Sequence, residues 1–71
     1  MTMLVLTPLG RQVAENVSSP EGPSFDVLAV LYENNGPVDF EEILAATNMD
    51  SVRGSMVVRS LMNKGLVREV T

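Results

Sequence analysis

Four of the five basic residues of this chain, Arg53, Arg59, Lys64 and Arg68, fall in its last third, with Ser51, Ser55 and Met56 set among the first of them. Cations spaced along a short stretch with small hydroxyls between them suit contact with phosphates and base edges better than bond-breaking chemistry. The residue types that other chemistries need are missing. Histidine and cysteine are absent, which removes the usual general base, the thiol nucleophile and the common zinc ligands together. There is no glycine-rich phosphate loop and only one lysine. Glu41 and Glu42 are neighbours on a helix and point in different directions, so they make no catalytic pair. The expectation is a protein that is not an enzyme and uses no cofactor and no metal.

The charge is divided unevenly. The first 50 residues hold Arg11 against eight acids, a balance of −7, and residues 51–71 hold four cations against Glu69, a balance of +3, for the formal −4 of the whole chain. An acidic total argues against a polyanionic partner, and the local balance argues for one. Arg53 and Arg59 are the leading candidates for groove or phosphate contact. Met56 suits either a thymine methyl or the rim of the core, and the rim is expected. Lys64 and Arg68 flank the following strand and suit backbone phosphates, although Lys64 also complements the negative end of its helix dipole. Asp39, Glu41 and Glu42 crowd the start of the preceding helix, where they are good caps and poor neighbours for a phosphate.

These residues need elements to position them. A chain of 71 residues makes one small domain, residues 1–71, of class α+β and mostly α. Met1–Leu6 reads as a strand. Thr7-Pro8 is a helix start, a hydroxyl cap followed by proline at the first helical position, and the helix runs to about Val17 with Leu9, Val13 and Val17 along one side. Ser18–Pro23 is a connector. Ser24 caps a helix over about 25–34 that is apolar on nearly every side and therefore central, and Gly36-Pro37 ends it. Pro37-Val38 leaves room for a very short strand. Asp39, with Glu42 three residues on, caps a helix over 40–47, and Thr47–Asp50 turns into a helix over 51–64 closed by Gly65. Leu66–Val70 is the last strand.

The pair of helices over 40–47 and 51–64, joined by a short turn, forms the helix-turn-helix pattern, in which the second helix enters a major groove. Gly54, Val57, Val58 and Leu61 give that helix a buried stripe. Ser51, Arg53, Ser55, Met56 and Arg59 lie off it. The stretch from Ser51 to Val67, with Leu61 before Gly65-Leu66-Val67, resembles the recognition helix and wing entry of the winged helix-turn-helix superfamily, in particular MarR-like and small archaeal-type transcriptional regulators. Gly36-Pro37-Val38 before a capped helix resembles the short first strand of that family. The phrase Leu6-Thr7-Pro8-Leu9-Gly10-Arg11 resembles the one that follows the second wing strand there, yet in this chain it comes first. A similar phrase occurs in winged-helix modules appended to archaeal-type phenylalanyl-tRNA synthetases. The resemblance implies double-stranded DNA as partner, with RNA as a further option, and a homodimer reading two half-sites. A protein-contact or assembly module on the same fold is the competing reading.

The displaced phrase leads to one structural expectation. The N-terminal strand pairs antiparallel with Leu66–Val70 in the slot of the second wing strand, from its own chain or from a partner. The core is expected to hold Leu9, Val13, Phe25, Leu28, Leu31, Ile43, Leu44, Val57, Leu61 and Leu66. The longest apolar run, Val27–Tyr32, is too short to span a bilayer, and Met1–Leu6 lacks the basic flank of a secretory signal. A cytoplasmic protein without membrane contact is the expectation, and Asn16-Val17-Ser18 is read as a chance match to the glycosylation acceptor pattern.

Overall fold

A computed structural model describes residues 2–16 and 22–70. Val17, expected on the first helix, and most of the connector, Ser18–Glu21, lie outside the described residues. The order is β1 (Met3–Leu6), α1 (Pro8–Asn16), α2 (Pro23–Asn34), β2 (Val38–Asp39), α3 (Phe40–Thr47), α4 (Ser51–Asn63) and β3 (Val67–Val70). Four helices thus pack with a small three-stranded antiparallel sheet, an α+β architecture that is mostly α. Every expected element is present within two residues of its expected ends. Among the described residues no helix is long and apolar enough to cross a membrane.

The sheet order is β2-β1-β3, so the first strand of the sequence is the central one. Met3 pairs with Val70, Leu4 with Glu69, Val5 with Arg68 and Leu6 with Val67, all within one chain. On its other side β1 pairs Met3 with Asp39 and Leu4 with Val38. Leu4, only 1% exposed, points to the helices, and the pleat therefore sends Met3, Val5 and Arg68 to the opposite face.

The junction between β1 and α1 is tied to the far end of the chain. The Thr7 hydroxyl accepts from the Gly10 amide at 3.0 Å, as an N-cap does, and donates to the Gly65 carbonyl at 2.6 Å. The Thr7 amide donates to the Leu66 carbonyl at 3.1 Å. Gly65 itself holds φ 77°, the left-handed region where a side chain is costly, and this turns the chain from α4 into β3.

α2 packs against α1, α3, α4 and β1, the central position its all-round hydrophobicity implies. Its caps differ from expectation. Gly22 is the N-cap with Pro23 in the first turn and no side-chain cap bond, so Ser24 lies inside the helix and does not cap it. At the other end Asn35, not Gly36, adopts the left-handed conformation, and its amide donates to the Leu31 carbonyl at 3.2 Å. Asparagine is the non-glycine residue that tolerates this region best. The α1–α2 contact also carries a polar cluster. The Tyr32 hydroxyl donates to Glu15 Oε2 at 3.0 Å, Arg11 lies 5.3 Å from the Tyr32 ring centroid, and the Arg11 guanidinium donates to the Asn35 side chain.

The core consists of Leu4, Val27, Leu28, Leu31, Val38, Ile43, Val58, Leu61, Leu66 and Val67. Leu28, Leu31, Ile43, Leu61 and Leu66 were expected there. Phe25, Leu44 and Val57 are only half-buried. Leu9 and Val13 overturn the expectation, being 50% and 37% exposed. The reason is the approach of α1 to the sheet through Gly10, which is buried. A Cβ placed there would lie 1.9 Å from the Leu66 carbonyl oxygen, so the helix backbone itself makes the contact. With Gly10 and Ala14 turned inward, Leu9 and Val13 sit about 100° away around the helix and face out.

Candidate nucleic-acid interface

The corner between α3 and α4 is built from local signals. Asp39 caps α3 by accepting from the Glu41 amide at 3.2 Å, and the Phe40 amide donates to the Thr2 carbonyl at 2.8 Å, anchoring the helix start to the sheet. Asn48, with φ 58° and ψ 38°, ends α3 and donates its amide to the Leu44 carbonyl. Two residues later Asp50 caps α4, its carboxylate accepting from the Arg53 amide at 2.8 Å. A three-residue turn, Asn48-Met49-Asp50, is thus all that separates the two helices.

α4 approaches α3 closely at Gly54, where a Cβ would meet the Leu44 Cδ2 methyl at 2.2 Å. Gly54, Val58 and Leu61 are the buried residues of α4. Positions 52, 56 and 59 lie on the opposite side of the cylinder at 100° per residue. Ser51, Val52, Ser55, Met56 and Arg59 line one shallow surface groove. Arg53 lies on the other flank of the Val52–Met56 ridge, in a groove that also includes Asp50 and Pro23.

All seven sequence-derived site residues, Ser51, Arg53, Ser55, Met56, Arg59, Lys64 and Arg68, are exposed. Arg53, Ser55, Met56 and Arg59 lie on the flanks and outward side of α4, and Ser51, in line with Val58, is exposed in its first turn. Lys64 stands at the C-terminal cap of that helix, at the far end. Arg68 is not brought to the same face. It pairs with Val5 on the sheet side turned away from α4, while its neighbour Glu69 shares a groove with Arg59 and Met62. Met56 differs from the expected core rim: it is 69% exposed, because it sits nearly opposite Leu61 and Gly54 and not beside them. Val52, 70% exposed, was missed. Its place four residues before Met56 is the signal that finds it.

Electrostatically the outward face of α4 is simple. From Ser51 to Arg68 the chain contains no acid and four cations. The nearest negative groups are Glu69, which shares a groove with Ser55 and Arg59, Asp50, engaged in its cap, and the acids at the start of α3, where Asp39 and Glu41 line a separate groove with Thr2 and Phe40. Among the described residues no group of three or more acidic side chains is placed to hold a metal ion. The face thus presents short polar, apolar and cationic side chains together on one exposed helix surface. No protein-family model, no curated protein and no solved structure matches this chain.

Proposed function

We propose that this chain is a winged helix-turn-helix module that binds double-stranded DNA, with α4 as the recognition helix and β1 serving as the second wing strand. The observation that carries the reading is the exposed surface of α4, where Arg53 and Arg59 stand among Ser51, Ser55 and Met56 and the helix itself carries no acid. The three-residue turn and the Asp50 cap support it, since they join two helices in helix-turn-helix order and leave Ser51, Val52 and Arg53 exposed at the start of the second. The antiparallel pairing of β1 with β3 supplies the strand that the resemblance requires and that the sequence order had displaced.

In this reading Arg53 and Arg59 flank the groove-entering ridge, Ser51 and Ser55 permit close approach, and Lys64 meets backbone phosphate at the far end of the helix. Arg68 reaches phosphate only from the outer face of the sheet. One helix of this size gives a small footprint, so the proposed functional unit is a homodimer reading two half-sites of a regulatory sequence. Anisotropy titration against a random duplex, at low and moderate salt, tests the reading. Binding that weakens steeply with salt is expected. A flat titration at low salt overturns it.

A second reading has one observation in its favour: the −7 balance of the first 50 residues gives most of the surface the same sign as a nucleic acid. On that ground the module contacts a protein instead, and a flat titration is its expected outcome.

A further inference from the structure

Val52 and Met56 are the centre of the outward face of α4, and a solvated helix has no use for them there. Each is about 70% exposed, and among the described residues they stand with Leu9 and Val13 as the large apolar side chains left in water. Two side chains are far too little for a stable protein interface, which buries roughly 800 Å² per partner. They do suit a small apolar target set in a polyanionic frame.

We infer that Val52 and Met56 read thymine C5-methyl groups. The inference rests on the DNA-binding reading of α4. In the major groove thymine is the one natural base that presents a methyl group, and apolar side chains are its usual partners. The surroundings fit that target. Arg53 stands on one flank of the ridge and Arg59 on the other, with Ser51 and Ser55 short enough to let the helix seat closely. Four residues of helix separate the two side chains by about 6 Å along the axis, so both can face one groove at neighbouring base pairs. The preferred duplex therefore carries thymines within the few base pairs that α4 meets. Met56 adapts to either neighbour, being unbranched and flexible, whereas the β-branched Val52 is stiff and sets the register. The same chemistry separates DNA from RNA, because uracil lacks the methyl and the A-form major groove is too deep and narrow to admit the helix.

The test uses the full chain and two fluorescein-labelled duplexes of alternating A·T pairs. They are identical except that one carries deoxyuridine in place of every thymine, which removes the methyl groups alone. The thymine duplex is expected to bind about three- to tenfold more tightly, in keeping with one or two buried methyl contacts. Val52→Ser combined with Met56→Ser is expected to bring that ratio to about one, with the far-UV melting curve showing that the variant is folded. Equal affinity of the native chain for both duplexes overturns the inference and leaves DNA binding standing. Failure to bind either duplex at low salt overturns both.

Discussion

Met3 and Val70 are antiparallel partners in the sheet, so the first strand of the sequence and the last lie side by side in register. The pairing makes a definite prediction about connectivity. Joining Thr71 to Thr2 through an Asn-Gly turn in place of Met1 closes β3 and β1 into a two-residue hairpin of the favoured kind. New ends are placed between Asn16 and Gly22. The permuted chain is expected to fold, with a circular dichroism spectrum and melting midpoint close to the native ones. Deleting residues 1–6 instead removes the central strand and the buried Leu4 with it, and is expected to leave the domain unfolded. A permutant without cooperative melting, or a truncation that melts like the full chain, shows the pairing to be wrong.

The two buried helical glycines are predicted to respond differently to alanine. At Gly10 the new methyl meets the Leu66 backbone, with the carbonyl oxygen at 1.9 Å and its carbon at 2.9 Å, and backbone held in a strand start cannot step aside. At Gly54 the obstacle is the end of the Leu44 side chain, which is flexible and half-buried. Both substitutions gain about 1 kcal/mol of helix propensity. Gly10→Ala is expected to lose about 2 kcal/mol net, within the usual cost of overpacking, and Gly54→Ala to stay within about 1 kcal/mol of native. Urea unfolding of the two variants checks the ranking.

Tyr32 gives a spectroscopic prediction. Its hydroxyl donates to Glu15, and that hydrogen bond, the Glu15 charge and partial desolvation raise its pKa above 10.0, with Arg11 opposing. A phenol whose folded pKa is raised contributes stability that is complete below the unfolded value. That contribution is lost as pH rises through the folded value. The domain is therefore expected to lose stability in strongly alkaline solution. The chain has one tyrosine and no tryptophan, so absorbance near 295 nm follows this group alone. Glu15→Gln is expected to move the titration back toward 10, and an unchanged midpoint in that variant removes Glu15 as the cause.

Local signals in the sequence were legible, and helix rotation was not. Pro8, Asp39 and Gly65 mark element ends because proline, short acids and glycine act on their own backbone, whereas Asp50, read only as part of a turn, proved to cap α4. The displaced Leu6-Thr7-Pro8 phrase was enough to place β1 beside β3. Leu9 and Val13 misled because a stripe of larger side chains normally outweighs a glycine, and the close approach at Gly10 depends on Leu66, far along the chain. The same limit hid the outward pair. Whether Met56 bordered the core or left it turned on which of Gly54 and Val57 faces inward most, and Gly54 does, against Leu44. The cap of α2 was one residue off because asparagine and glycine stand adjacent and both tolerate the left-handed region.

The arginines of α4 give the prediction that separates binding from stability. Arg53 and Arg59 are exposed, so Arg53→Ala and Arg59→Ala are each expected to leave the stability within about 0.5 kcal/mol of native. Under the DNA-binding reading each lowers affinity for a random duplex and reduces the slope of log K against log salt by ~1 for a phosphate contact. A base contact behaves otherwise: the slope holds, and discrimination at one position of a defined site falls by about 1–3 kcal/mol. Leu61→Ala supplies the contrast. Leu61 is 1% exposed, and its loss is expected to cost about 2–5 kcal/mol, enough to unfold a domain of this size. Duplex binding by the double arginine variant equal to that of the native chain removes α4 as the contact surface.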